Sequence, residues 1–146
     1  MRIAIGSDHA GFSQKPLLAA YIEGLGHEVV DMGPFEDKSV DYPDYAAKVG
    51  RSVAAGETDR GVLVCGTGIG MSISANKIPG IRAANVTIPD FASLAREHND
   101  ANIVALSARF VSLEDNEAII KSFLETEFAG GRHAGRVAKI NALDNR

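Results

Sequence analysis

The chain has 146 residues, 45% hydrophobic and 23% charged, with 15 glycines, one cysteine, no tryptophan and a formal net charge of −4. That length fits one domain of the usual ~100–200 residues, and the apolar fraction is ample for a packed core, so global disorder is excluded. A lone cysteine cannot form an intrachain disulfide or by itself make a zinc site, and the acidic balance counts against a general nucleic-acid binder.

No window approaches the ~18 consecutive apolar residues of a membrane span. Met1–Gly6 shows no long apolar run of the secretory type, so the expected location is the cytoplasm. Arg2–Gly6 reads as a strand. Phe12–Leu25 follows as an amphipathic helix with Leu17, Leu18, Tyr21, Ile22 and Leu25 on one stripe, stopped at Gly26. Glu28–Asp31 is a second strand. A loop from Met32 to Tyr42 leads to Pro43, which suits the first turn of a helix carrying Tyr45, Val49 and Val53 up to Gly56. Gly61–Cys65 is the clearest buried strand, and Ile69–Asn76 is a short helix ended by Pro79-Gly80. Ile81–Val86 is a fourth strand, Thr87-Ile88-Pro89-Asp90 has the form of a helix start, and Asn102–Ser107 is a fifth strand. Ser112-Leu113-Glu114-Asp115 opens a helix through Ala118, Ile119, Phe123 and Leu124.

Five strands alternating with helices predict a parallel sheet joined by helical crossovers. After Gly130-Gly131 the pattern changes to a last short helix, His133–Leu143. It has no sheet position to fill and can pack on its own domain or reach a second subunit. The expected organisation is one domain over 1–146 with a C-terminal helical extension from about residue 130.

Ligands of open parallel α/β sheets bind at the carboxyl ends of the strands. Two phosphate motifs can be tested there. Gly6-Ser7-Asp8-His9-Ala10-Gly11 has the glycine spacing of a P-loop, but Phe12-Ser13 stands where Lys-Ser/Thr is required. Gly66-Thr67-Gly68-Ile69-Gly70 approaches a dinucleotide fingerprint, yet Met71 occupies the place of its third glycine. Both nucleotide readings fail. What remains is a loop of Gly66, Gly68 and Gly70 between a buried strand and a helix, whose N–H groups can gather around an oxyanion.

Cys65 opens that loop. A thiolate beside N–H donors can act as a nucleophile or as a carbon-proton base, while a free cysteine is otherwise a common packing residue. His9 and His98 lie among short polar residues rather than on an apolar stripe, which suits proton transfer, though lone histidines also serve in packing. Arg109 follows the fifth strand. Arg132 and Arg136 share a helix face if the last helix extends back to them; they form a solvated basic face or a phosphate grip. Tyr42, in Asp41-Tyr42-Pro43, is a stacking surface or a loop anchor.

The motifs Ser7-Asp8-His9-Ala10-Gly11-Phe12, Asp41-Tyr42-Pro43, Cys65-Gly66-Thr67-Gly68-Ile69-Gly70, Ala75-Asn76-Lys77, Gly80-Ile81-Arg82-Ala83, His98-Asn99-Asp100-Ala101-Asn102 and Gly130-Gly131-Arg132-His133 occur in this order. Together they resemble the ribose-5-phosphate isomerase B family, which also holds galactose-6-phosphate and allose-6-phosphate isomerases. The resemblance spans essentially the whole chain. It implies a Rossmann-like three-layer α/β/α sandwich, aldose–ketose isomerisation of a phosphosugar without metal or cofactor, and a homodimer with composite active sites. A tetramer is left open.

Carried over residue by residue, the resemblance makes Cys65 the base that moves the proton between C2 and C1, with Thr67 shuttling a proton between the oxygens. The N–H groups of Gly66 to Gly70 hold the enediolate. His98 opens the sugar ring, with Asp8 as helper, and Asn99 binds near the reacting carbons. His9, Arg109, Arg132, His133 and Arg136 surround the phosphate, and Tyr42 lines the sugar pocket. One branch of the family uses a glutamate base just past the loop's last glycine; here that place is Met71, which leaves Cys65. The implied pairing sets one subunit's Asp8, His9 and Cys65 against its neighbour's His98 and Asn99. Three alternatives stay open: a four- or six-carbon phosphosugar substrate, a non-catalytic phosphosugar-binding paralogue, and a flavodoxin-like nucleotide module.

Overall fold

The computed structural model describes residues 1–144, so the last two residues of the expected extension, 145 and 146, lie outside the described part. The chain runs β1 (Arg2–Ser7), α1 (Lys15–Gly24), β2 (Glu28–Asp31), α2 (Tyr42–Ala54), β3 (Arg60–Cys65), α3 (Ile69–Ala75), β4 (Ala83–Asn85), α4 (Pro89–Asn99), β5 (Ile103–Ser107), α5 (Leu113–Glu125) and α6 (Arg132–Ala142). The five strands form one sheet in the order β2-β1-β3-β5-β4, every pair parallel.

The period-2 pleat sorts the strand residues between two cores. Ile3, Ile5, Val62, Val64, Val104 and Leu106 point to one face, where Leu18 and Ile22 of α1, Ala92 of α4 and Ile119, Ile120 and Phe123 of α5 cover them. Ala4, Leu63, Cys65, Ile103 and Ala105 point to the other, under Ala46 and Val49 of α2 and Met71 and Ala75 of α3. With both faces covered, β3 and β5 are buried at every position, which explains their unbroken apolar runs. The architecture is the expected three-layer α/β/α sandwich.

Three local readings needed revision. The first helix starts at Lys15 rather than Phe12, because Pro16 has no N–H to give and fits only in a helix's first turn. Leu17 is 52% exposed and leaves the predicted stripe, whereas Leu18 and Ile22 are fully buried. The fourth strand is shorter than Ile81–Val86. Side-chain amides take its first donors: Arg82 N–H donates to Asn102 Oδ1 and Ala83 N–H to Asn76 Oδ1, both at 2.8 Å.

At the other end of the fold, Ser112 caps α5 by accepting the Asp115 N–H, as its sequence position predicted. Two buried arginines finish the same helix. Arg60 Nη1 donates to the Phe123 and Leu124 carbonyls (2.7 and 3.1 Å), and Arg96 Nε to that of Thr126 (3.1 Å). Arg60→Leu removes the partner of two buried carbonyls. Its expected cost is about 2–3 kcal/mol, read from urea denaturation, with enzymatic parameters unchanged.

The extension begins where Gly130 and Gly131 take positive φ angles of 65° and 55°, and α6 then packs against α4 through His133 and Val137. Arg82 ties the two helices together. It donates through Nε to the carbonyls of Asn99 and Asp100, and through Nη1 to Asn141 Oδ1.

Candidate active site

The sheet topology makes a crevice at the end of β3. Its helix, α3, leaves toward one face, while the neighbouring strands β1 and β5 send α1 and α5 to the other. Chains diverging from adjacent parallel strands leave a gap at the strands' carboxyl ends, and ligands of such sheets bind there. A cleft of about 420 Å³ occupies the place, with Cys65, Gly66 and Thr67 as its floor. Asp8 enters from β1 and Arg109 from the end of β5. Tyr42, at the first position of α2, and Ile69, Gly70 and Ile73 of α3 complete the wall.

Each side of this cleft depends on a glycine. Gly11 lets the turn after β1 close on β3, since a Cβ there would lie 2.9 Å from Val64 Cβ. That turn is fixed by Asp8, which is 8% exposed and accepts the Gly11 N–H through Oδ1 at 3.0 Å. Gly70 carries the Tyr42 ring: a Cβ would stand 2.7 Å from Tyr42 Cε2. The Arg109 side chain lies across Gly66 in the same way, with Nη1 3.2 Å from where a Cβ would be.

Cys65 is 5% exposed and lines the cleft, so its sulfur is desolvated without being sealed from a ligand. Sγ accepts the Gly68 N–H at 3.0 Å. That bond fixes where the sulfur sits on the cleft floor. Thr67 Oγ1 accepts the Ile69 N–H at 3.1 Å, which holds that hydroxyl at the cleft floor. The N–H groups of Gly66 and Thr67 donate to no backbone or side-chain group among the described residues, so both are free for an incoming oxyanion.

A second cluster gathers elsewhere. The helix α4 runs back along the sheet, so His98 and Asn99 at its carboxyl end lie at the strands' amino edge, near the start of β5. At that edge Asn102 O accepts the Gly61 N–H, and Cys65 stands four residues further along β3, ~13 Å at ~3.3 Å per residue. Around His98, the ring of buried His133 stacks with centroids 4.2 Å apart and planes 14° apart. Arg132 and Arg136 are exposed one helical turn apart on α6, which does begin at Arg132. Loss of solvation, then the neighbouring His98, Arg132 and Arg136, lowers the His133 pKa from its ordinary value of 6.5, with only Glu97 opposing. The group this basic cluster fits is an anion, and paired guanidinium forks suit a phosphate.

The fourteen site residues expected from sequence thus divide within one chain. Asp8, Tyr42, Cys65, Gly66, Thr67, Gly70 and Arg109 share the cleft, with Gly68 buried beneath it. His98, Asn99, Arg132, His133 and Arg136 stand at the opposite edge of the sheet. His9 is exposed on the turn after Asp8 and does not line the cleft. Among the described residues, no group of three or more His, Cys, Asp or Glu is placed to hold a metal ion, and no helix is long and apolar enough to cross a membrane.

Sequence reasoning missed two residues of the cleft wall and one that bonds its loop. Ile69 and Ile73 form an exposed apolar wall at 54% and 59% exposure; their i, i+4 spacing on the short helix was the available signal. Asn85 bonds the loop from β4, and its signal was an amide in an otherwise apolar strand.

The arrangement combines a desolvated thiol, free main-chain donors and a separate anion grip, which are the parts for moving a proton at carbon in a phosphorylated substrate. Comparisons with known proteins bear on the family. The chain is 45% identical over 145 residues to ribose-5-phosphate isomerase B of Escherichia coli (strain K12), covering 99% of this chain and 97% of that one. Its fold superimposes on the Clostridium thermocellum ribose-5-phosphate isomerase B with a TM-score of 0.97 at 50% identity, covering 99% and 98% of the two chains. The Mycoplasma genitalium ribose-5-phosphate isomerase B, solved with bound ribulose-5-phosphate, matches with a TM-score of 0.96 at 39% identity, covering 99% and 97%. Residues 3–140 also match the family model described as Ribose/Galactose Isomerase, and with a family match over nearly its whole length the chain belongs to that family.

Proposed function

We propose that this chain interconverts an aldose phosphate and its ketose, with ribose 5-phosphate and ribulose 5-phosphate as the pair, through a cis-enediolate and without a metal. The observation that carries the reading is the Cys65 sulfur, bonded by the Gly68 N–H at 3.0 Å on the floor of the strand-end cleft. The printed names of the relatives, and the ribulose-5-phosphate bound to the Mycoplasma genitalium enzyme, support the choice of substrate.

In the forward direction His98 moves the proton that opens the furanose, with Asp8 holding the sugar hydroxyls. The thiolate of Cys65 then takes the hydrogen from C2, and the electron pair moves onto the carbonyl oxygen to give the enediolate. Free N–H groups of the Gly66–Gly70 loop stabilise that charge; one such donor is worth ~3–4 kcal/mol in comparable sites. Thr67 carries a proton between O2 and O1, and the Cys65 thiol returns its proton to C1. Asn99 binds near the reacting carbons, and Tyr42 bounds the sugar. Arg109, Arg132 and Arg136, with His9 and His133, hold the phosphate, whose binding energy positions C2 against sulfur.

Because His98 and Cys65 of one chain stand at opposite edges of the sheet, the reading requires a homodimer. One subunit supplies the cleft and its partner the basic cluster. The exposed apolar residues Ile69, Ile73, Phe91 and Phe110 supply apolar area for such an interface. The compartment we assign is the cytoplasm.

A six-carbon phosphosugar is the second reading, favoured by the galactose half of the family description. Comparing kcat/KM for four-, five- and six-carbon aldose phosphates decides between them. Ribose 5-phosphate is expected to lead, with turnover unchanged after exhaustive EDTA treatment. A six-carbon substrate leading by tenfold overturns the pentose assignment, and no turnover of any member overturns the enzyme.

A further inference from the structure

The peptide unit between Thr67 and Gly68 is held from both sides. Its N–H donates to Cys65 Sγ at 3.0 Å, and its carbonyl accepts from Asn85 Nδ2 at 3.2 Å. In a trans peptide these two groups point in opposite directions, so a bond on the carbonyl fixes where the N–H is aimed. Asn85 is anchored in turn. Its Nδ2 also donates to the Ala105 carbonyl of β5 at 3.1 Å, so both amide hydrogens are committed to main-chain acceptors.

This loop needs such a restraint. Gly68 sits at φ 82°, a region glycine enters freely, and a peptide next to glycine flips at little steric cost. A flip would turn the N–H away from the sulfur and bring a carbonyl oxygen toward it, which disfavours the thiolate. Contact is direct: the atom nearest to where a Gly68 Cβ would stand is Asn85 Nδ2.

We propose that Asn85 is a positioning residue for the reaction, holding the Thr67 carbonyl so that the Gly68 N–H stays on the Cys65 sulfur. Its consequence for turnover rests on the reading of Cys65 as the base; its effect on the thiol does not. The chain has one cysteine, so alkylation by iodoacetamide reports on Cys65 alone.

The test measures alkylation rate against pH in wild type, Asn85→Ala and Asn85→Leu, the leucine keeping the side chain's bulk without its donors. The midpoint is expected to rise by about one pH unit in both variants, the size of one charge-assisted hydrogen bond. Turnover is expected to fall about tenfold in kcat with KM within twofold, because the lost contact acts on the base rather than on substrate binding. Melting temperatures identify any variant that fails to fold, and the other variant then decides. An unchanged midpoint in a folded variant overturns the proposal, whatever turnover does. A raised midpoint with wild-type kcat upholds the positioning of the thiol and instead removes Cys65 as the base.

Discussion

Cys65→Ala is expected to lose isomerase turnover by at least about 10³-fold while still binding the phosphosugar, because general-base groups contribute ~10²–10⁴ and nothing adjacent can replace this one. Met71 has no proton-accepting group, and Asp8 already accepts the Gly11 N–H at the foot of its own turn. Cys65→Ser is expected to do little better, since a hydroxyl ionises far above neutral pH even with an N–H at 3.0 Å. The decisive measurement is exchange of the C2 hydrogen with deuterated water during incubation with substrate. Net turnover and exchange should vanish together, and binding measured by calorimetry should stay within a few-fold, as the sulfur is no part of the phosphate grip. Wild-type exchange in Cys65→Ala would remove the sulfur from the mechanism. Loss of binding along with turnover would instead make Cys65 a residue that shapes the cleft.

Much of the fold could be read from the residues because both sheet faces are buried. Val62–Cys65 and Ile103–Leu106 are continuous apolar runs, and such runs bounded by glycine or polar residues have few other uses. The misreadings occurred where a local rule was outweighed. Apolar periodicity extends the first helix back to Phe12, but Pro16 forbids that extension. The shortened fourth strand depended on Asn76 and Asn102, residues distant in sequence whose amides replace ladder bonds, and no pattern within Ile81–Val86 encodes them.

The cleft residues were legible for a related reason. Ligands of open parallel sheets bind at the strands' carboxyl ends, so Asp8, Cys65–Gly70 and Arg109 could be placed there simply because they follow strands. His98 was harder. It ends a helix rather than following a strand, and its partner His133 comes from an extension with no place in the sheet. Residue pattern marked these side chains as candidates but did not give their location, because the location is set by how α6 lies on α4.

Mixing two inactive chains is expected to restore activity in the homodimer proposed above, because the cleft and the basic cluster are separated within one chain. Let one chain carry Cys65→Ala, and the other His98→Ala with Arg132→Ala. Each homodimer lacks one half of both its sites. In a mixed dimer, one site pairs an intact Cys65 loop with an intact His98 cluster, and the other site pairs the two damaged halves. Random reassembly of equal amounts makes half the dimers mixed, so recovery should approach about a quarter of wild-type turnover. The reciprocal mixture sharpens the distinction. When all three substitutions are placed on one chain and mixed equally with wild type, shared sites leave about a quarter of the activity, and sites complete within one chain leave about half. Co-expression with two affinity tags gives the mixed dimer directly. A mixed dimer as inactive as its parents would mean that the Cys65 cleft and the His98 cluster are not paired across two subunits.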